Sequence, residues 1–120
     1  VKFYYDPVSH WVVDDVNTLI VAAPGSYQAA MGCPNDWAPE CLMTWMQDAD
    51  ADGIFSYTTT AIPAGDWEVK AAAYEGWDVN WGVDGEAGGA NIMFSVAADG
   101  AEVTFEFDSA TNLLTVIVSE

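Results

Sequence analysis

Apolar positions in this chain alternate with polar ones along short segments, and turn residues interrupt the alternation at regular intervals. The clearest case is residues 65–74, where Trp67 and Val69 fall on one face while Asp66 and Glu68 fall on the other. A period of two is typical of a strand with one buried face. About eight or nine such strands, separated by turns every 8–12 residues or so, predict an all-β antiparallel sandwich.

One hairpin pattern occurs twice, near the beginning and near the end of the chain. Residues 1–16 (VKFYYDPVSHWVVDDV) align without a gap to residues 103–118 (VTFEFDSATNLLTVIV). We therefore expect an N-terminal hairpin or donor-strand segment over residues 1–17 and a sandwich module over residues 18–120. A single sandwich has room for one such hairpin in a given slot. The spare copy therefore closes a preceding repeat, fills a gap in a neighbouring molecule, or packs elsewhere. The identical positions include Val1/Val103, Phe3/Phe105 and Asp6/Asp108.

The composition indicates a folded and strongly acidic domain. Apolar residues make up 52% of the 120 positions, which argues against disorder. Lys2 and Lys70 are the only basic residues, and the net charge is −17. Such a charge disfavours nucleic acid and anionic lipid as partners. No apolar run approaches the ~18 residues of a membrane span, and no signal-peptide pattern precedes Val1.

The two cysteines lie in one compact loop, GCPNDWAPEC, with Cys33 and Cys41 eight positions apart. A zinc site needs more ligands nearby, and a redox pair usually reads C-x-x-C. A disulfide is therefore the predicted state, and closing so short a loop stabilises the fold by roughly 2–3 kcal/mol. A disulfide implies an oxidising compartment, so we expect a secreted or cell-surface protein.

Distinctive motifs, among them the cysteine loop and the GGANI segment, lie in residues 3–12, 24–42, 62–82, 88–96 and 103–108. These segments resemble the X25-type modules that accompany pullulanases and related starch-degrading enzymes. The resemblance implies an immunoglobulin-like β-sandwich, no catalysis and an association with α-glucans. One departure concerns the last hairpin, where this module type usually has His-Trp and this chain has Asn112-Leu113. The N-terminal copy keeps His10-Trp11, which leaves open which copy completes the sandwich.

Aromatic and polar side chains in the loops are candidates for sugar contacts. Aromatic rings stack on the C–H faces of sugars, and carboxylates, amides and ammonium groups take the hydroxyls. The alternative is that Trp77 or Trp81 folds back over the end of the sandwich, and that Trp37 caps its own loop. The candidate carbohydrate-binding residues are Trp77, Trp81, Tyr74, Asp78, Asn80, Lys70 and Trp37.

Asp48, Asp50 and Asp52, followed by Gly53, spell the beginning of an EF-hand calcium loop. The twelfth position of that loop is Thr59 rather than the bidentate Glu that calcium requires, and the flanking segments are strands rather than helices. The pattern therefore favours an acidic hairpin turn, with calcium as a weak alternative.

Catalysis has little support in the sequence. His10 is the only histidine, and Ser26 lacks the context of a nucleophile elbow. Nineteen acidic residues make chance pairs of carboxylates inevitable, so their abundance is not evidence for a glycosidase pair. We expect no enzyme and no cofactor.

Two functions compete, and both are extracellular. In the first, the N-terminal segment adds as a strand to another copy or to an adjacent repeat, and head-to-tail contacts build an array or filament that can also carry a glycan-contacting surface. In the second, the chain is a monomeric α-glucan-binding module of a pullulanase-type or amylase-type enzyme. A self-contained domain with neither role is a third alternative. The residues predicted to carry assembly are Phe3, Tyr4, Tyr5, His10, Trp11, Val12 and Val13.

Overall fold

Strands carry almost all of the regular structure, as the alternation of apolar and polar positions predicts. The structure is a computed structural model that describes residues 1–7, 9, 11–48 and 50–119. His10, one of the predicted assembly residues, lies outside the described residues. The strands are β1 (Phe3–Tyr5), β2 (Val12–Asp14), β3 (Val21–Ala22), β4 (Trp45–Met46), β5 (Ile54–Thr59), β6 (Gly65–Val69), β7 (Ala71–Ala73), β8 (Asn80–Trp81), β9 (Ile92–Val96), β10 (Val103–Asp108) and β11 (Leu113–Val118). The helices are α1 (Gln28–Met31) and two 3₁₀ turns, Leu42–Thr44 and Val83–Gly85.

The strands form antiparallel sheets that pack into an immunoglobulin-like β-sandwich with an additional N-terminal hairpin, which confirms the predicted fold class. One sheet has the order β11-β10-β5 and another has the order β4-β3-β7-β8. Strands β6 and β9 pair with each other, and so do β1 and β2. No helix in the described part of the chain is long and apolar enough to cross a bilayer.

Aromatic side chains occupy the centre of the core. Phe105 on β10 is fully buried, and its ring stacks on Tyr27 at 5.5 Å and meets Phe94 of β9 edge-on at 5.8 Å. Val21 on β3 and Val69 on β6 join the same buried cluster. Each fully buried side chain of this kind contributes about 1.5–3 kcal/mol relative to exposure. Strands from three sheets are therefore held by one shared core.

The two copies of the hairpin pattern fold with the same register. In β1–β2, Tyr4 lies opposite Val13, and in β10–β11 the aligned residue Glu106 lies opposite Thr115. The C-terminal copy completes the sandwich, because β10 pairs with both β11 and β5. The N-terminal copy forms a separate sheet of two strands. The question of which copy fills the slot in this sandwich is thereby answered.

The two copies bury opposite faces. In β10, Phe105 and Phe107 are fully buried, whereas the aligned Phe3 and Tyr5 of β1 are exposed. The residue between them, Tyr4, is the one that β1 buries. Side chains alternate between the two faces of a strand, so a different choice of face exchanges every buried position for an exposed one.

Tyr4 and Trp11 of the N-terminal hairpin pack on Trp45 of β4, with ring centroids 5.8 and 5.2 Å from it. Val13 and the buried Ile20 complete this small cluster. Such aromatic pairs contribute about 0.5–1.5 kcal/mol beyond area burial. No acceptor within the described residues reaches the buried Trp45 Nε1.

These contacts place the N-terminal segment on its own sandwich without strand addition, and the predicted strand addition to another copy stays a prediction. Among the described residues, the strands β1 and β2 form ladders only with each other. One apolar face of the hairpin is already buried within this chain. Its side chains pack on Trp45 and Ile20 of the same sandwich, without strand pairing. Self-association is not needed to cover it.

Polar contacts reinforce the docking of the hairpin. The Ser9 hydroxyl bonds to Gln47 Oε1 at 2.7 Å, and Gln47 Nε2 donates to Asp6 Oδ2 at 2.6 Å. On the other side, the Tyr4 hydroxyl donates to Glu75 Oε2 at 2.6 Å, and Lys2 Nζ pairs with the same oxygen.

The pKa values of Glu75 and Tyr4 reflect this arrangement. Partial burial raises the pKa of Glu75, but the hydrogen bonds from Lys2 and Tyr4 outweigh it and hold the pKa below its ordinary value. Burial, together with the bond to the Glu75 carboxylate, raises the pKa of Tyr4 well above its ordinary range. The ionised form of Glu75 is therefore the one that stabilises the docked hairpin.

We expect the contribution of Glu75 to stability to be lost in acid. Because its pKa is lower in the folded state than in the unfolded state, this contribution is complete above the ordinary pKa of 4.5 and disappears as the pH falls through the lowered value. Glu75→Gln should be less stable than the wild type at neutral pH, and the difference should shrink below pH 4.5. Denaturant unfolding at a series of pH values measures this. Glu86→Gln, at an exposed carboxylate elsewhere on the surface, is the matched control for the loss of one negative charge. A Glu75→Gln difference that is constant with pH would contradict the assignment.

The disulfide loop is fixed at both of its ends and from within. Cys33 and Cys41 are joined by the predicted disulfide, with their Cα atoms 6.1 Å apart. The buried amide of Gln28 accepts from the Ala38 N–H at 2.7 Å and donates to the Ala38 carbonyl at 2.8 Å. Sequence reasoning missed this role of Gln28, because one polar residue in a short helical turn carries no signal of burial.

Removing the disulfide should lower the free energy of unfolding by about 2–3 kcal/mol, because the unfolded chain regains the freedom of the loop. The double variant Cys33→Ala with Cys41→Ala tests this by denaturant unfolding. The wild type unfolded in the presence of a reductant is the control and should lose a similar amount. A loss below about 0.5 kcal/mol would show that the Gln28 hydrogen bonds suffice to hold the loop.

Candidate functional site

Two tryptophans from different loops meet at the surface. Trp37 lies within the disulfide loop, and Trp77 lies in the turn between β7 and β8. Their ring centroids are 6.2 Å apart and the rings are tilted by 45°. Trp77 retains 39% exposure, and the neighbouring Tyr74 retains 48%. We refer to Trp37, Trp77 and Tyr74 as the aromatic patch.

The backbone around the patch is specified by tight local geometry. Trp37 takes a left-handed conformation with φ of 55°, and its N–H donates to the Gly25 carbonyl at 3.1 Å. Gly25 is required at that point, because a Cβ there would overlap the Glu68 carbonyl and the Tyr27 ring.

The turn that carries Trp77 is also strained. Tyr74 and Glu75 both have positive φ, 56° and 58°. The Tyr74 N–H donates to the Ile20 carbonyl at 2.7 Å, and Asn80 Nδ2 donates to the Trp77 carbonyl at 2.8 Å. Non-glycine residues at positive φ cost free energy and persist where the surrounding structure holds them. The patch therefore rests on a fixed scaffold.

The predicted sugar-binding residues do not all meet at the patch. Trp81 lies on β8, half-buried, and its ring packs on Phe107 at 5.1 Å. Its contacts therefore belong to the edge of the core, and Trp37 is the residue that the structure places against Trp77. Asp78 is exposed directly after Trp77.

Lys70 and Asn80 have more enclosed positions than a sugar-binding surface suggests. Lys70 precedes β7 and is half-buried, and its N–H donates to the Pro24 carbonyl at 3.0 Å. Tyr74 follows β7, so Lys70 and Tyr74 stand about 13 Å apart along the strand at ~3.3 Å per residue. Asn80 Oδ1 is buried and has no donor within the described part of the chain.

The three aspartates of the D-x-D-x-D-G segment form an acidic turn. Their carboxylate oxygens lie within 4.8 Å of one another. Asp48 is already used by the turn, since it accepts from the N–H groups of Asp52 at 3.1 Å and Gly53 at 2.9 Å. The N–H of Ile54 lowers the pKa of Asp52, whereas desolvation and the charge of Asp52 raise the pKa of Asp50. Thr59, the twelfth position, lies at the end of β5.

Calcium should leave the melting temperature of the chain unchanged, because Asp48 is occupied by backbone donors and a carboxylate is missing at the twelfth position. A thermal melt with calcium at about 1 mM, a concentration that fills weak extracellular sites, checks this. Magnesium at the same concentration is the control for ionic strength. A rise with calcium alone, abolished by Asp50→Asn, would establish the calcium site that the segment weakly predicts.

The fold and the surface just described define an immunoglobulin-like β-sandwich module with a solvent-facing aromatic patch. Residues 20–114 match the family model described as the pullulanase X25 domain, and the chain belongs to that family.

Among proteins with similar sequences, amylopullulanases recur. The chain is 34% identical over 118 residues to the amylopullulanase of Thermoanaerobacterium thermosulfurigenes, covering 93% of this chain and 6% of the relative. It is 31% identical over 118 residues to that of Thermoanaerobacter thermohydrosulfuricus, covering 93% of this chain and 8% of the relative. It is 34% identical over 118 residues to that of Thermoanaerobacterium saccharolyticum, covering 93% of this chain and 9% of the relative. The chain thus corresponds to a small part of each relative.

A solved structure shares the fold. The pullulanase from Bacillus acidopullulyticus superimposes with a TM-score of 0.72 at 22% sequence identity, covering 95% of this chain and 14% of that one.

Proposed function

We propose that the chain is a non-catalytic accessory module of a starch-degrading enzyme and that it binds α-glucan through the aromatic patch. The observation that carries the proposal is the surface pair of the half-buried Trp37 and the exposed Trp77, whose ring centroids are 6.2 Å apart, with Tyr74 close by in sequence. Membership of the pullulanase X25 family supplies the substrate class. The chain matches only 6–9% of the length of the similar amylopullulanases, which supports an accessory role rather than a catalytic one.

The physical case for sugar binding rests on exposure and rigidity. Contiguous apolar side chains at a surface mark binding sites, and aromatic faces suit the C–H faces of glucose units. The disulfide fixes the loop that carries Trp37, so little conformational entropy is lost on binding. Asp78, exposed next to Trp77, is placed to accept hydrogen bonds from sugar hydroxyls.

An extracellular location is part of the proposal. Starch is a polymer that an enzyme meets outside the cell, and the disulfide of Cys33 and Cys41 persists in an oxidising compartment. A surface with a net charge of −17 stays soluble there and does not repel a neutral glucan.

Head-to-tail assembly into a filament, the other candidate function, has less support. The inner face of the N-terminal hairpin packs on its own sandwich, where Tyr4 is buried against Trp45, so only the outer face is left for a contact with another copy.

Truncating the patch should abolish glucan binding without unfolding the module. Trp37→Ala and Trp77→Ala should each lose most of the retardation in native gels that contain starch or pullulan, because stacking on an aromatic face is lost. Both side chains are partly exposed, so we expect the melting temperature to change little.

Two controls separate binding from folding. Phe3→Ala removes an exposed aromatic ring from the N-terminal hairpin and should keep full retardation. Trp81→Ala should lower stability by about 3 kcal/mol, as for other core aromatics, since its ring packs on Phe107. Unchanged mobility of both patch variants would overturn the proposed site. A wild type that no glucan retards would overturn the proposed function itself.

A further inference from the structure

The outer face of the β1–β2 hairpin is apolar and largely exposed to solvent. Phe3 retains 71% exposure, Tyr5 retains 55% and Val12 retains 60%. The inner face of the same hairpin, with Tyr4 and Val13, is covered by this sandwich. A hairpin of two short strands with one apolar face in water is marginally stable, and contiguous exposed apolar side chains mark interaction surfaces.

The C-terminal hairpin shows what covers such a face. Phe3, Tyr5 and Val12 align with Phe105, Phe107 and Leu114 of β10–β11, and the two hairpins have the same register. In β10–β11 these positions are 0%, 0% and 4% exposed, because they face the core of the sandwich. The open face of β1–β2 therefore carries the residues with which this fold closes its own core.

The opposite faces of the two hairpins differ in polarity. Where the C-terminal hairpin has Glu106 and Thr115, the N-terminal hairpin has Tyr4 and Val13, and these are the residues that pack around Trp45. The N-terminal hairpin thus has apolar residues on both faces. On the face of β10–β11 that points away from the core, the aligned Glu106 and Thr115 are polar, and Leu113, aligned with Trp11, is apolar.

One aligned position departs from the pattern. Asp14 stands where the C-terminal copy has Val116. Asp14 Oδ1 accepts from the N–H groups of Asn17 at 2.8 Å and Val16 at 3.0 Å, so this residue forms the turn through which the chain leaves the hairpin. The departure lies at the end of β2, beyond Val12 and Val13, and leaves Phe3, Tyr5 and Val12 in place.

We propose that β1–β2 is a shared hairpin, whose inner face packs on this sandwich while its outer face completes the core of a second sandwich of the same fold. In that second module it occupies the slot that β10–β11 fills here. The contact joins two modules through buried side chains on both faces of one hairpin. It goes beyond glucan binding and does not depend on it.

The test uses the whole chain with a second copy of the sandwich placed before it. Residues 18–102 are fused to the N-terminus of the complete 120-residue chain, so that Glu102 is followed by Val1 as it is normally followed by Val103. The leading copy then has no hairpin of its own other than β1–β2. Phe3→Cys is introduced into both the single chain and the fusion, and its reaction with a thiol reagent is followed while the native disulfides stay oxidised.

We expect the thiol at position 3 to react rapidly in the single chain and at least about tenfold more slowly in the fusion. Met93→Cys is the matched control, because Met93 is 78% exposed on β9 and should react at the same rate in both chains. Hydrogen exchange of the β1–β2 amides in the unsubstituted fusion provides a second readout. Protection there supports the shared hairpin even if Phe3→Cys perturbs folding.

Three results would overturn the proposal. The first is equal reactivity and equal exchange of β1–β2 in the fusion and the single chain. The second is protection of the single chain that increases with its concentration, which would make the outer face a contact between intact copies. The third is protection of the single chain by maltodextrin, which would make Phe3 and Tyr5 a sugar-stacking surface.

Discussion

A two-stranded hairpin cannot persist in water unless at least one of its faces is covered, and this constraint shapes the molecule at both ends. At the C-terminal end, β10–β11 covers its face by closing the sandwich, and Phe105 becomes the centre of the aromatic core. At the N-terminal end the slot is already filled, so β1–β2 packs its opposite face on Trp45. The Glu75 contact and the exposed outer face of β1–β2 both follow from this placement of the N-terminal hairpin.

Charged side chains make the packing of β1–β2 on its own sandwich more specific. The chain has two basic residues against nineteen acidic ones, so a cation near a carboxylate is scarce. Lys2 is used to pair with Glu75, which lies in the same turn as Tyr74 of the aromatic patch. Exposed ion pairs contribute little by themselves, but here the same carboxylate also accepts from the partly enclosed Tyr4 hydroxyl. The hairpin is therefore positioned by a polar contact as well as by apolar packing.

Alternation was sufficient to predict the sandwich, because a strand with one buried face shows its period directly in the sequence. The disulfide also followed from spacing and loop composition. Which face a strand buries is less accessible, since β1 has aromatic residues at Phe3, Tyr4 and Tyr5 and its pattern does not choose between them. The partner of Trp77 was not predictable either. Trp81 is close to Trp77 in sequence, yet Trp37 reaches it because the disulfide loop folds back beside the turn. Sequence distance carries no information about such contacts between loops.

The aromatic patch and the hairpin are linked by a short and rigid path. The disulfide loop ends at Cys41, the 3₁₀ turn Leu42–Thr44 follows, and Trp45 comes next with Tyr4 and Trp11 packed on it. A second sandwich held on the outer face of β1–β2 would thus have a fixed orientation relative to Trp37, without a flexible linker between the two modules. Two glucan sites in a fixed arrangement gain affinity only when their spacing matches the path of the polymer, and they lose that gain entirely when it does not. Two modules joined by a rigid shared hairpin would therefore select among glucans by the geometry of the glucan chain. Two modules joined by a flexible linker would bind different glucans with little discrimination.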